Sequence, residues 1–250
     1  MKQTHQILLL FLAGCLLGGP IGCDDDCPSP DGKGPIAKFQ ATTEGSEDTA
    51  ASWLAYPFPA DHRVTATGAP RFSDFPNPKG VGILDDYIDL LEADMTGFSS
   101  TSGIYLSFSD AIDPKSLPQI VTESQSTNSA IQLVDITEGS PEYGMRRPLR
   151  WEYWDEATEY LVAHTLAAAP AWGMPLRENT TYAFYVTSAL TAPGGNKVQS
   201  PALLQYLLSN DVPKSCATAT TSKDLVDLLK KQFAPLKPIL KKASIEPKSV

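Results

Sequence analysis

Two cysteines near the amino end carry the clearest chemistry in this 250-residue chain. Cys15 follows Leu12-Ala13-Gly14 inside the apolar run from Ile7 to Leu17, with Lys2 and His5 ahead of it. A positive start, about ten apolar residues and small residues before the cut describe a bacterial secretion signal. A cysteine directly after the small residues is the acceptor that a lipoprotein signal peptidase reads: its thiol takes a diacylglycerol, and the chain is cut before it. The run falls short of the ~20 apolar residues that cross a bilayer. Cys23 is the alternative acceptor, preceded by Pro20-Ile21-Gly22 and followed by Asp24-Asp25-Asp26. Acylating Cys23 discards Cys15 and leaves Cys27 and Cys216 to pair as one disulfide in an oxidising compartment. Acylating Cys15 leaves three of the 4 cysteines besides. The expected anchor is Cys15.

Other reactive residues give weaker patterns. Cys23 and Cys27 flank three aspartates, but a structural zinc site needs four placed ligands, usually from two paired motifs, and no second pair exists. No metal and no cofactor are therefore expected. Gly97-Phe98-Ser99-Ser100-Thr101 lacks the second glycine of the Gly-x-Ser-x-Gly nucleophile elbow. An esterase built on Ser99 and His62 is the last of three functional readings, since Asp61-His62 reads more simply as a turn. His164 falls in a strand-like pattern and is expected to make a contact in or on a sheet. Trp151, Trp154 and Trp172, with Tyr153 and Tyr160, are candidate sugar-stacking aromatics. Alternation puts Trp151 and Tyr153 on one strand face and Trp154 on the other, so core packing accounts for them better.

The formal net charge is −9, which becomes −10 once Lys2 leaves with the signal. Phosphate backbones need a basic face, so nucleic acid is excluded as a partner, and so is peripheral binding to anionic lipid. A hydrophobic content of 42% suits a globular chain with a real core.

The elements that must position these residues follow in order. Residues 1–22 are the export signal and 23–52 an acidic tether poor in aliphatics. Residues 53–103 read as a proline-rich strap, Trp53 to Pro78, then a helix over 80–95. In that helix Ile83, Leu84, Tyr87, Ile88, Leu91 and Met95 recur at helical spacing opposite Asp85, Asp86, Asp89 and Glu92. From Gly103 the period changes to two. Strands are expected at 104–108, 131–135, 149–153, 160–166 and 182–187, separated by turn residues. The expected fold is mainly β, an antiparallel sandwich over 104–198, with helical additions at 80–95 and 201–245.

Phe108-Ser109-Asp110-Ala111-Ile112-Asp113-Pro114-Lys115-Ser116-Leu117, then Thr165 to Pro170, then Pro175-Leu176 running into Thr180-Thr181-Tyr182, and the Gly194-Gly195-Asn196 turn, resemble the bacterial Ig-like domain of surface-layer and cell-surface proteins. The long stretch from Gly139 to Asp155 departs from that pattern. Tyr56-Pro57-Phe58-Pro59-Ala60-Asp61-His62, Asp74-Phe75-Pro76-Asn77-Pro78 and Gly97-Phe98-Ser99 are similar to the opening of N-terminal domains on bacterial surface lipases of the virulence-factor type. Those domains precede an α/β-hydrolase region. The resemblance implies an Ig-like module that presents or supports a downstream domain, itself not an enzyme. The runner-up is a carbohydrate- or protein-binding surface module. The expected partners are a membrane, through the lipid, and an envelope protein or glycan; the expected place is the outer membrane or cell surface.

The carboxyl segment, 199–250, reads as helices at Pro201–Asn210 and Ser222–Phe233, the second capped by Ser222. Ala234-Pro235-Leu236-Lys237-Pro238 then interrupts. The resemblance implies one more strand after Val250, without which a sheet edge lacks its partner and an apolar helix face is poorly covered.

Overall fold

A computed structural model describes residues 33–41, 49–65, 67–209, 218, 221–246 and 250. Cys15, Cys23, Cys27 and Cys216, and the export signal with them, lie outside the described residues.

Five strands form two antiparallel sheets. They are β1 (Ile104–Ser107), β2 (Ile131–Asp135), β3 (Leu149–Trp154), β4 (Thr165–Pro170) and β5 (Tyr182–Val186). One sheet has the order β1-β4-β3 and the other pairs β2 with β5. The described α-helices are α1 (Ala50–Trp53), α2 (Gly82–Asp94), α3 (Ala202–Leu208), α4 (Lys223–Phe233) and α5 (Leu236–Lys242). The architecture is α+β. More described residues lie in helices than in strands, so the expected mainly-β character holds only in part.

The reason is a third layer. Leu106, Phe108, Leu149 and Leu166 from one sheet and Ile131, Leu133 and Val186 from the other share one core cluster. On the opposite face of β2–β5, Val134, Ile136 and Tyr185 pack against Leu204 and Leu208 of α3 and Leu236, Ile239 and Leu240 of α5. The β2 strand is therefore buried at all five positions, including Gln132 and Asp135. A strand covered on both faces loses the simple apolar-polar alternation of a two-layer sheet.

Four expected strands lie where the period-two pattern put them. The fifth does not: Tyr160 to Leu166 was expected as a strand, whereas bends occupy Tyr160–His164 and β4 begins at Thr165. His164 has φ 60, a left-handed conformation that a strand residue cannot hold. The alanine-rich β4, which propensity disfavours, is the central strand of its sheet, paired with both β1 and β3.

Upstream, Pro35 to Ala41 belongs to the packed body and not to the tether that composition assigns it to. Ala37 bridges Phe108 antiparallel, and Lys38 N–H donates to Ser107 C=O at 2.8 Å. Of the strap, Trp53, Leu54 and Phe58 form a separate buried cluster with Phe72, Phe75 and Phe98 around it. Phe58 exchanges backbone hydrogen bonds with Tyr105 at 3.0 and 2.6 Å. Arg63 lies over the Trp53 ring at 4.2 Å and grips both Asp74 oxygens at 2.7 and 2.8 Å.

Helix α2 forms where expected but buries no residue. Asn77 accepts from Val81 N–H at 2.8 Å and donates to Asp85 at 2.7 Å, while Glu92 accepts from Ser73 N–H at 2.6 Å. Polar ties therefore hold the helix, and Ile83, Tyr87 and Leu90 stay exposed. At the carboxyl end the Ser222 cap is present, with Leu225 N–H donating to its hydroxyl at 3.3 Å. Leu225, Val226 and Leu229 are buried, whereas Leu228, expected on the same face, is exposed. The expected interruption is a short turn at Ala234-Pro235, after which α5 continues; Pro238 sits in its first turn, where a missing N–H costs no intrahelical bond.

Candidate functional site

A groove runs along β5. Its chemistry follows from strand register. Ile136 N–H donates to Thr181 C=O and Thr187 N–H donates to Ala130 C=O, both at 2.9 Å. In an antiparallel pair the residues that exchange hydrogen bonds alternate with those that do not. With Leu133 opposite Phe184, Ala183 and Tyr185 therefore face their amides toward β2. Tyr182, Phe184 and Val186 turn N–H and C=O to the other side. The far edge of β2 is taken up by the 145–147 segment: Asp135 N–H donates to Met145 C=O at 3.1 Å and Arg147 N–H to Leu133 C=O at 2.8 Å. The outer edge of β1 is met by Phe58 and Lys38. Among the described residues no strand pairs with the outer edge of β5.

That edge opens on a cavity of about 170 Å³. Leu106, Phe39 and Val186 line it, and Leu204, Phe233 and Leu236 close it from the helical side. Pro57 and Pro59 form part of the lip and bring no N–H to β5. Asp61 is the one acidic or basic side chain among the described lining residues, and burial raises its pKa above the ordinary carboxylate value. Burial also raises the Tyr56 hydroxyl, with Asp61 adding to the effect. His62 packs edge-on against the Tyr56 ring at 4.4 Å. Burial, then Arg63 and Arg71, push its pKa down to about 4, so the imidazole is uncharged at neutral pH. The groove thus offers apolar walls, one desolvated carboxyl group at Asp61 and a row of backbone donors and acceptors. Among the described lining residues no serine, cysteine or lysine is present.

The candidate residues from sequence are scattered. Ser99 is exposed, and its hydroxyl contacts Thr101 at 3.2 Å; among the described contacts none joins it to His62. Trp151 donates its indole N–H to Pro118 C=O at 2.6 Å and, with Tyr153, packs on the inter-sheet core. Trp154 lies opposite Thr165 at one end of the β3–β4 pair, and Trp172 follows Pro170 at the other end. Five strand steps of ~3.3 Å separate those ends, too far for one sugar ring to bridge. Trp172 alone is 81% exposed, with the Arg150 guanidinium 3.9 Å over its ring.

One cluster had no sequence signal beyond its members. His164 Nδ1 lies 3.0 Å from Asp155 Oδ1 and 3.3 Å from the Tyr153 hydroxyl, which is 3.0 Å from the same carboxylate. Burial first, then the carboxylates of Asp155 and Asp110, push the Tyr153 hydroxyl up to about 12. The cluster fixes the loop 155–164 beside β4. The pairing arises from the left-handed turn at His164, which no local pattern announces. Among the described residues no group of three His, Cys, Asp or Glu side chains is placed to hold a metal ion, and no helix is long and apolar enough to cross a membrane. No protein-family model matches this sequence, and a search of curated proteins finds no relative for it.

Proposed function

We propose that this chain is a non-catalytic module of the bacterial cell envelope, held to a membrane by a lipid on Cys15, with Cys23 as the alternative, that supports or presents a second polypeptide. The edge of β5 carries the reading: among the described residues no strand pairs with its outward backbone groups, and such an edge between apolar walls suits a polypeptide and not a small polar substrate. Two antiparallel sheets sharing one core support an Ig-like sandwich as the centre of the module, with the helices added on the outer face of β2–β5. Metabolic labelling with palmitate tests the anchor. Label should be lost in Cys15→Ala, or in Cys23→Ala if the alternative holds. Label that survives both substitutions refutes the lipoprotein reading. Hydrolysis of a short-chain nitrophenyl ester tests the enzyme question; turnover abolished by Ser99→Ala would make the chain an esterase.

Trp172 favours a second reading, a carbohydrate- or protein-binding surface module, because a wholly exposed tryptophan beside an arginine is a common recognition element. Trp172→Ala should leave melting unchanged within about 0.5 kcal/mol, as surface substitutions do, and abolish any glycan-array signal that the wild type gives.

A further inference from the structure

We infer that α2 is a recognition helix, and that what docks on it is a basic amphipathic helix of another protein, its apolar seam bordered by lysine or arginine. This goes beyond the reading of the β5 edge as the supporting surface, and it depends neither on that edge nor on the lipid anchor.

The helix divides its side chains three ways. Leu84, Ile88 and Met95 are half-buried. Asp85 and Glu92 tie the helix down, the first accepting from Asn77 Nδ2 at 2.7 Å and the second from Ser73 N–H at 2.6 Å. Ile83, Tyr87, Leu90 and Leu91 stand at i, i+4, i+7 and i+8 and form one stripe, yet they are 62%, 57%, 54% and 40% exposed. That spacing is the one by which an amphipathic helix presents its anchors to a partner.

Charge chooses the partner. Every charged residue of Gly82–Asp94 is acidic. Asp86, Asp89 and Asp94 have no hydrogen-bond or ion-pair partner among the described residues, so they do not serve to hold the helix. Asp86 lies three residues after Ile83 and four before Leu90, and Asp94 lies four after Leu90, so both border the stripe. Asp94 also occupies the last turn, where the helix dipole is negative and no basic residue answers it. Like charge rejects a second copy of α2 and an anionic lipid surface. A purely apolar partner would leave the bordering carboxylates desolvated and unpaired. Lysines or arginines along an apolar seam satisfy the stripe, the carboxylates and the helix end together. A helix fits the shape, because the stripe follows a straight line of ~20 Å and helices pack ridge into groove.

The probe is a fluorescein-labelled peptide, acetyl-Lys-Leu-Lys-Lys-Leu-Leu-Lys-Lys-Leu-Lys-Lys-Leu-Leu-Lys-amide, whose leucines form one helical seam. One control has the same composition with the leucines dispersed around the helix, and the other keeps the seam but carries glutamate for every lysine. Anisotropy against the purified chain should give a Kd of about 10–100 μM for the probe, as suits a small contact. Each control should bind at least about tenfold more weakly. Asp86→Lys with Asp89→Lys should weaken the probe by about tenfold or more and let the glutamate peptide bind instead. Ile83→Gln with Leu90→Gln should also cost about tenfold or more. All four positions are exposed, so melting should move by no more than about 2 °C in either variant. Equal binding of the dispersed-leucine peptide would reduce the effect to attraction by an acidic chain, and equal binding of the glutamate peptide would reduce it to a greasy patch. Either result overturns the proposal, as does no binding at all, or binding that neither variant weakens. Uptake of the unacylated chain by phosphatidylcholine vesicles, abolished by Ile83→Gln with Leu90→Gln, would make a lipid surface the occupant, again against the proposal. None of these outcomes alters palmitate labelling, so failure here is separable from failure of the envelope reading.

Discussion

Gln132 offers the sharpest test of how β5 is held. Its side chain is fully buried on the helical face of β2. The amide nitrogen donates to Thr127 C=O at 2.9 Å and Ser129 C=O at 3.1 Å. The amide oxygen accepts from Arg146 Nε at 2.5 Å and from the Tyr185 hydroxyl at 2.7 Å. Gln132→Leu removes four hydrogen bonds worth about 1 kcal/mol each and leaves the buried Tyr185 hydroxyl unpaired, about 1–3 kcal/mol more. The added apolar burial returns about 1.5–3 kcal/mol. The balance is a loss of about 4 kcal/mol, which in a chain of this size lowers Tm by roughly 8–16 °C. Calorimetry or circular-dichroism melts measure it. Tyr185→Phe alone should cost about 1 kcal/mol. In the Gln132→Leu background the same change should instead recover about 1–3 kcal/mol, because it removes a buried hydroxyl that has already lost its acceptor. A single-mutant loss under about 1 kcal/mol, or a Tyr185→Phe cost that is the same in both backgrounds, would refute the idea that this amide binds β2 to β5.

Three further outcomes are expected. Arg63→Met strands the buried Asp74 carboxylate and should destabilise by about 3–5 kcal/mol, and adding Asp74→Leu should recover most of the loss, measured by urea unfolding. His62 is pushed from 6.5 to about 4, so the unfolded chain takes up a proton between those values that the folded one refuses. Its stabilising effect is therefore whole above about pH 6.5 and lost as the pH falls to about 4, up to about 3 kcal/mol. Asp61 is raised and acts in the opposite sense, as its proton uptake favours the fold on acidification. With Tyr56, Arg63, Arg71 and Asp74 unchanged around it, His62→Gln should flatten the acid limb of Tm against pH between 6.5 and 4, and an unchanged limb would count against His62. Ser222→Ala removes the cap on Leu225 N–H and should cost about 1 kcal/mol.

What sequence disclosed and what it hid divides along physical lines. Branched and aromatic runs at period two located β1, β2, β3 and β5 because each presents a face to the inter-sheet core. The cap at Ser222 and the buried leucines of α3 were likewise readable, since both effects act within one turn of helix. β4 was displaced because its alanines carry little strand propensity, and its pairing on both edges with β1 and β3 is a tertiary fact that no local pattern contains. The third layer was hidden for the same reason: buried Gln132 and Asp135 look polar until Tyr185, Arg146 and Ser140 are placed around them. The groove along β5 joins residues from Phe39 to Leu236 and Val250, a span of sequence across which no spacing rule reaches.

The position of uncovered apolar surface bears on how such a chain avoids sticking to itself. The carboxyl helices, where poor cover was expected, instead bury Leu229, Leu236, Ile239 and Leu240 well. Open apolar surface lies on α2, where Ile83, Tyr87 and Leu90 form a stripe beside Asp86, Asp89 and Asp94. Like charges on that helix repel a second copy of the same face, so the stripe is guarded electrostatically. β5 has no such row of like charges, since Asp61 is the one acidic or basic side chain among the described residues lining its groove. Its protection is steric: the edge lies in a recess over which Phe39 and Phe233 meet edge-on, ring centroids 5.7 Å apart, so that a flat sheet edge of another molecule does not reach it. Shape rather than a row of like charges therefore guards this edge, and truncating the cover should expose it. Phe233→Ala widens the entrance and should cost about 3–5 kcal/mol as a large buried aromatic would at most, less here because Phe233 is only partly buried. Above that cost it should bring concentration-dependent association, seen by sedimentation, that the wild-type chain lacks. A variant that loses stability but stays monomeric would show that the recess is not what guards the edge.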